Sequence, residues 1–167
     1  MQDNQNYTDG RLPRLNLPPV DLKIRKDGDI VRVFDSLRQK YVALTPEEYV
    51  RQHFVGWMIS TLRYPRTLMA NEVGIELNGM RRRCDTVVFN QDSTPLIIVE
   101  YKAPGVEVTQ DVFDQIVRYN MVLRAKYLVV SNGMRHYCCR VDYENDTYHF
   151  IPGVPDYMQL KWTPNIN

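Results

Sequence analysis

The chain has 167 residues, 44% of them hydrophobic and 25% charged, with a formal net charge of +1. That length suits one domain with a real core, and the composition is that of a folded globular protein. No apolar run reaches the roughly 20 residues of a membrane helix, no secretory h-region follows Met1, and the near-zero charge argues against bulk affinity for polyanions, so the expectation is a cytoplasmic protein.

Residues 1–21 are polar and proline-rich (Pro13, Pro18, Pro19), and an irregular arm is expected over 1–28. Ile30, Val31 and Val33, then Tyr41, Val42 and Ala43, predict two short strands around a turn carrying Asp35 and Ser36. Thr45-Pro46-Glu47-Glu48 predicts a helix start, with Thr45 as N-cap, Pro46 at the first position and Glu48 placed for a capping box. Val50, Phe54, Trp57 and Met58 continue it at helical spacing, and the helix should end before Pro65. Strands over Glu72–Leu77 and Cys84–Asn90 are joined by Asn78-Gly79.

Leu96-Ile97-Ile98-Val99, entered from Pro95, is apolar on both faces, as a covered central strand would be, and leads into Glu100-Tyr101-Lys102. Ala103-Pro104-Gly105 stops it. Thr109 can cap a second helix carrying Val112, Ile116, Tyr119 and Leu123 along one side. Tyr127–Ser131 predicts a buried strand closed by Asn132-Gly133, and His136–Asp142 with Tyr148–Ile151 a final hairpin. The whole is α/β, a mixed sheet with helices packed on it, in which 96–102, 109–124 and 127–131 can form a parallel crossover. The expected division is an arm over 1–28, one domain over 29–152 and a tail over 153–167.

Several chemistries have no motif here. There is no C-x-x-C pair and no paired-histidine helix for zinc, no G-x-S-x-G, and no G-x-x-x-x-G-K. What stands out is Asp85, then fourteen intervening residues, then Glu100-Tyr101-Lys102. Alternation along a strand puts Glu100 and Lys102 on one face at the end of a buried run, where a charge is costly. If the strand of Asp85 pairs with it, two carboxylates and an ammonium converge at one edge of the sheet. Mg²⁺ takes oxygen ligands and keeps several waters, so Asp85, Glu100 and the Tyr101 carbonyl make a plausible protein share, with Mn²⁺ the alternative ion. Lys102 would orient the attacking water and stabilise the charge developing on a phosphate. A simple edge ion pair between Glu100 and Lys102 would also account for the triplet. Asp21-Leu22-Lys23 has a similar spelling, but it follows Pro18-Pro19 rather than an apolar strand.

Gln115 and Tyr119 are spaced i, i+4 on the second helix and share a face that can look onto this edge, although core packing of Tyr119 or a solvated Gln115 would fit the same spacing. Arg81, Arg82 and Arg83 form a basic run, either a phosphate-binding patch or a solvated face.

Asp85, the Ile-Val-Glu-Tyr-Lys-Ala-Pro segment at 98–104, Gln115-x-x-x-Tyr119, Tyr-Leu-Val-Val-Ser-Asn-Gly at 127–133, and the helix opening at Thr45–Gln52 together resemble the PD-(D/E)xK nuclease superfamily, in particular the N-terminal nuclease domain of type I restriction enzyme R subunits. The resemblance covers about residues 41–140. It implies a restriction-endonuclease-like mixed β-sheet flanked by helices and Mg²⁺-dependent DNA cleavage in a restriction-modification setting. It implies that Asp85 and Glu100 are metal ligands, that Lys102 is the catalytic lysine, and that Gln115 and Tyr119 contact DNA or support the site. A further glutamate often comes from the first helix in this fold, here Glu47 or Glu48, with Glu47 nearer the apolar stripe and Glu48 left to cap. The implied partners are DNA, motor or specificity subunits encoded separately, and a second copy of the chain. Tyr101 departs from the smaller residue, frequently Cys, of related sequences, and the motor is absent. The alternative is a non-catalytic nucleic-acid-binding or assembly module that retains the nuclease fold.

Overall fold

The elements of the computed structural model, which describes residues 12–162, are β1 (Ile24–Asp27), β2 (Ile30–Asp35), β3 (Lys40–Ala43), α1 (Pro46–Ser60), a 3₁₀ turn (Arg66–Leu68), β4 (Met69–Leu77), β5 (Met80–Phe89), β6 (Pro95–Tyr101), α2 (Gln110–Leu123), β7 (Tyr127–Ser131), β8 (His136–Asp142), β9 (Thr147–Ile151) and α3 (Tyr157–Trp162). Parts of the expected arm and tail, residues 1–11 and 163–167, lie outside the described residues.

Six strands form one mixed sheet in the order β4-β5-β6-β7-β8-β9, and β1-β2-β3 form a separate antiparallel sheet. Within the large sheet β6 and β7 are parallel, joined through α2, and the other neighbours are antiparallel. This is the α/β mixed sheet with helices packed on it that the sequence predicts.

Alternation along β6 builds two cores. Ile97, Val99 and Tyr101 join Val50, Phe54 and Met58 of α1 in one apolar cluster. Ile98 joins Phe113 and Ile116 of α2 with Val87, Leu128 and Val130 in the other. Val50, Phe54 and Met58 are fully buried, and each such side chain contributes about 1.5–3 kcal/mol by leaving water. The Thr45 hydroxyl accepts from Glu48 N at 3.1 Å, capping α1 as its sequence predicts. Thr109 occupies the N-cap of α2, but its hydroxyl makes no cap hydrogen bond.

Two segments differ from expectation. Residues 24–27, expected as irregular, form β1, a fully exposed strand paired with β2. β5 starts at Met80 rather than Cys84, so Asp85 lies inside a ten-residue strand instead of opening it. The arm is docked on the domain. Leu15 is buried, Asn16 N donates to Gly133 O at 2.8 Å, and Gly133 at φ 80° leaves room where a Cβ would meet Leu15 at 2.8 Å.

Candidate metal centre

Glu100, one residue before the end of buried β6, is 6% exposed and meets α2 through Gln115. Its Oε1 accepts from Gln115 Nε2 at 3.1 Å, and the same nitrogen lies 3.2 Å from the Tyr119 hydroxyl oxygen. Gln115 and Tyr119 therefore do share the face that looks onto the sheet edge. Glu100 Oε2 is buried and has no hydrogen-bond partner among the described residues. An orphaned buried carboxylate oxygen carries a full desolvation cost, which a cation would relieve. Burial, then the charge of Asp85, raises the Glu100 pKa to about 8, against the pull of Lys102.

Asp85 faces the same edge from β5. Its Oδ2 accepts from Tyr101 N at 2.8 Å, and its Oδ1 accepts from Arg51 Nη2 at 2.8 Å. Burial pushes its pKa up, against the opposing Arg51 guanidinium and the Tyr101 N–H. Lys102 N donates to Ser131 O on β7, so the ladder leaves the N–H and carbonyl of Tyr101 facing the β5 side, where Asp85 lies. The Tyr101 ring turns the other way, buried against Phe54 with centroids 5.6 Å apart.

Lys102 follows β6 directly. Its ammonium makes no hydrogen bond or ion pair with the described residues, so the edge ion pair with Glu100 that would explain the triplet is absent there. Its charge acts on both Glu100 and Glu47. The two glutamates of α1 divide their work. Glu48 is buried and accepts from Arg38 Nη2 at 2.7 Å, Arg51 Nη1 at 2.9 Å and Gln52 Nε2 at 2.8 Å. Its carboxylate is spent on these partners rather than on closing a capping box. Glu47 is exposed, has no such partner among the described residues and feels Lys102, Asp85 and Arg51; partial desolvation, then Asp85, raises its pKa.

Arg81, Arg82 and Arg83 are exposed on the β4–β5 hairpin. Arg83 Nη1 lies 3.5 Å from Glu72 Oε2. Glu72 has a left-handed φ of 58° inside β4, a strain of about 1–3 kcal/mol for a residue with a side chain. β4 and β5 keep one register from Met69↔Val88 to Leu77↔Met80, and the Glu72–Asp85 position alone drops out of the pairing.

Sequence reasoning missed Arg51 and Glu72. Arg51 is buried, and it bridges Glu48, Glu72 and Asp85. The available signal was an arginine one residue from the apolar stripe of α1, three after Glu48. A second path runs behind the site. The Tyr101 hydroxyl donates to Thr86 Oγ1 at 3.0 Å, Thr86 to Asn71 Oδ1 at 2.7 Å, and Asn71 Nδ2 to Asp35 Oδ2 at 2.8 Å. Arg38 joins Asp35 to Glu48. Asp35, Arg38, Glu48, Arg51, Asp85, Tyr101, Thr86 and Asn71 thus close a loop of hydrogen bonds.

The donor set suits a hard cation. Two carboxylates and a backbone carbonyl on one side offer oxygen, as Mg²⁺ and Mn²⁺ prefer. The nearby Cys84 thiol, pushed up to about 12 by burial and by Glu100 and Asp85, offers no thiolate. Among the described residues no three His, Cys, Asp or Glu side chains are grouped so that they could hold a metal ion, so the backbone carbonyl and waters would have to complete the set. Orphaned Glu100 Oε2 is the position that fits an ion.

A fragment described as an HsdR subunit of a type I restriction enzyme from Vibrio vulnificus YJ016 is similar in structure, with 18% identity and a TM-score of 0.48 over 67% of this chain and 24% of that one. The chain thus spans less than a quarter of that chain's length. No curated protein matches it. The family model for the type I restriction enzyme R protein N terminus (HSDR_N) matches residues 46–155, from α1 to just before α3. The chain belongs to this R protein N-terminus family.

Proposed function

We propose that this domain is a metal-dependent nuclease that hydrolyses DNA phosphodiester bonds. The observation that carries the reading is the buried Glu100 Oε2, which has no partner among the described residues, near Asp85 and a Lys102 ammonium likewise unpaired among them. Asp85, Glu100 and the Tyr101 carbonyl would hold Mg²⁺ or Mn²⁺. When bound, the ion would activate water and offset charge on the phosphate. Lys102 orients the attacking water and stabilises the non-bridging oxygens. Gln115 fixes Glu100, Tyr119 supports Gln115, and Glu47 supplies the α1 carboxylate. Arg81, Arg82 and Arg83 hold DNA phosphates, and separately encoded motor or specificity subunits deliver the DNA. Cutting both strands with one site per chain would require a second copy.

A second reading, a non-catalytic nucleic-acid-binding or assembly module, is favoured by Asp85, whose two oxygens already accept from Arg51 and Tyr101 N. Cleavage of supercoiled plasmid with Mg²⁺ or Mn²⁺ separates the two. The expected result is chelator-sensitive cutting by the wild type and a loss of about 100-fold or more in Lys102→Ala. Wild-type cutting by Lys102→Ala would overturn the catalytic reading, and DNA binding without cutting or metal uptake would favour the module.

A further inference from the structure

Arg51 Nη2 is forked between two carboxylates, Asp85 Oδ1 at 2.8 Å and Glu72 Oε1 at 2.7 Å, while Nη1 is held by Glu48 Oε2 at 2.9 Å. The side chain is 7% exposed, so these contacts are poorly screened. Three carboxylates around one guanidinium exceed its single charge, while its Nε is buried with no hydrogen-bond partner among the described residues. Glu72 is also the residue whose left-handed backbone breaks the β4–β5 pairing opposite Asp85. A glutamate held there against its backbone preference, with its carboxylate on a guanidinium already tied to Glu48, has a task that β-pairing does not explain.

We propose that Arg51 is a displaceable counter-ion for Asp85, and that Glu72 is the seat that keeps its guanidinium in place when a divalent cation takes Asp85. Without the cation, Arg51 neutralises Asp85 and keeps the edge from repelling itself. When Asp85 turns to a cation, Nη2 gives up Oδ1 and retains Glu72, and Nη1 retains Glu48. The guanidinium therefore neither leaves the interior nor gives up all its acceptors, which would be costly. Glu72 is a positioning residue here, acting through Arg51. Arg83, 3.5 Å from the other Glu72 oxygen, offsets the charge of that seat. This inference rests on the metal-site reading above.

The test is Mn²⁺ titration by calorimetry on the wild type, Arg51→Gln, Glu72→Gln and the double variant, with a short DNA duplex present. Thermal melts with chelator and with Mn²⁺ accompany it. Glu72→Gln leaves Arg51 clinging to Asp85, and Mn²⁺ affinity should fall about fivefold. Arg51→Gln removes the competitor, so affinity should rise about fivefold and the Mn²⁺-induced gain in Tm should exceed that of the wild type. In the double variant the Glu72 effect should vanish, an interdependence that a merely structural role would not produce. Weaker binding by Arg51→Gln, or an equal Glu72 effect with and without Arg51, would overturn the proposal. Arg51→Lys, which keeps the charge but not the planar fork, should lie between wild type and Arg51→Gln; it serves if Arg51→Gln does not fold, and affinity below wild type would then be the contrary result. If the wild type takes up no Mn²⁺, or if Asp85→Asn binds it equally, the metal-site reading itself falls, and the counter-ion with it.

Discussion

Gln115 reaches across from α2 to hold Oε1 of Glu100 at 3.1 Å, leaving Oε2 of the same carboxylate buried and, among the described residues, unbonded. One amide thereby fixes the rotation of the carboxyl group and aims its second oxygen at the sheet edge. The helix after the strand thus holds a carboxylate of the candidate site as well as covering the sheet.

Gln115→Ala should free that carboxylate to rotate. The expected result is a loss of about 10- to 100-fold in metal-dependent cleavage, with DNA affinity by fluorescence anisotropy little changed. A drop in DNA affinity with unchanged turnover of bound DNA would make Gln115 a DNA contact.

Glu100→Gln should stabilise the metal-free protein at high pH. Burial and Asp85 raise the pKa of the folded carboxyl to about 8, above its unfolded value of 4.5. Its contribution is therefore complete below the unfolded value and is lost as pH rises through the folded one. In chelator, Tm of the variant relative to wild type should climb by several degrees between pH 5 and pH 9. A pH-independent difference would show that Glu100 is not strained by ionisation.

His136 predicts the opposite sign for the arm. Its Nε2 lies 2.9 Å from the Asn16 carbonyl and its Nδ1 lies 2.7 Å from the Ser131 hydroxyl. The carbonyl only accepts, so Nε2 carries the proton and Nδ1 accepts from Ser131. Burial lowers its pKa, outweighing the Asn16 bond. That contribution is present above the unfolded value of 6.5 and lost as pH falls through the depressed folded value. Hydrogen exchange at residues 14–17 should accelerate from pH 7.5 to pH 5.5 after correction for intrinsic rates, and much less in His136→Phe. Equal behaviour of the two proteins would remove His136 as the pin.

Replacing Arg81, Arg82 and Arg83 with Ala should weaken DNA binding and flatten its dependence on salt. The log–log slope should shrink by up to about 0.9 for each phosphate that is no longer neutralised. Wild-type affinity and slope in the variant would make the run a solvated face.

The sheet, both long helices and the shared Gln115–Tyr119 face on the Glu100 edge were legible because local patterns carry them. A two-sided apolar run, a Thr-Pro-Glu-Glu start, an Asn-Gly turn and an i, i+4 pair each fix nearby backbone. β1 was not legible, since Ile24-Arg25-Lys26-Asp27 is a strand only by pairing with β2. Arg51 and Glu72 were hidden for a related reason. Arg51 meets Asp85 from 34 residues away, and Asn71 meets Asp35 from 36. The polar flank of α1, including Arg51, Gln52 and His53, is buried against patterning that reserves such residues for solvent. The left-handed Glu72 has no spelling at all, because nothing in Asn71-Glu72-Val73 departs from an ordinary strand.

The closed loop through Asp35, Arg38, Glu48, Arg51, Asp85, Tyr101, Thr86 and Asn71 also sets how this domain can drift in evolution. Each member but Tyr101, whose link to Asp85 runs through its backbone N–H, answers to two neighbours with its side chain, so a single replacement strands a donor or an acceptor on both sides. Change along the loop will be tolerated in compensated pairs, such as Asp35 with Arg38 or Asn71 with Thr86. Residues 35 and 38 precede the matched family segment, 46–155, so the Arg38 contact to Glu48 reaches into that segment from outside it. Among diverging relatives, the identities of residues 35, 38, 48 and 71 will be inherited together, as one unit of variation.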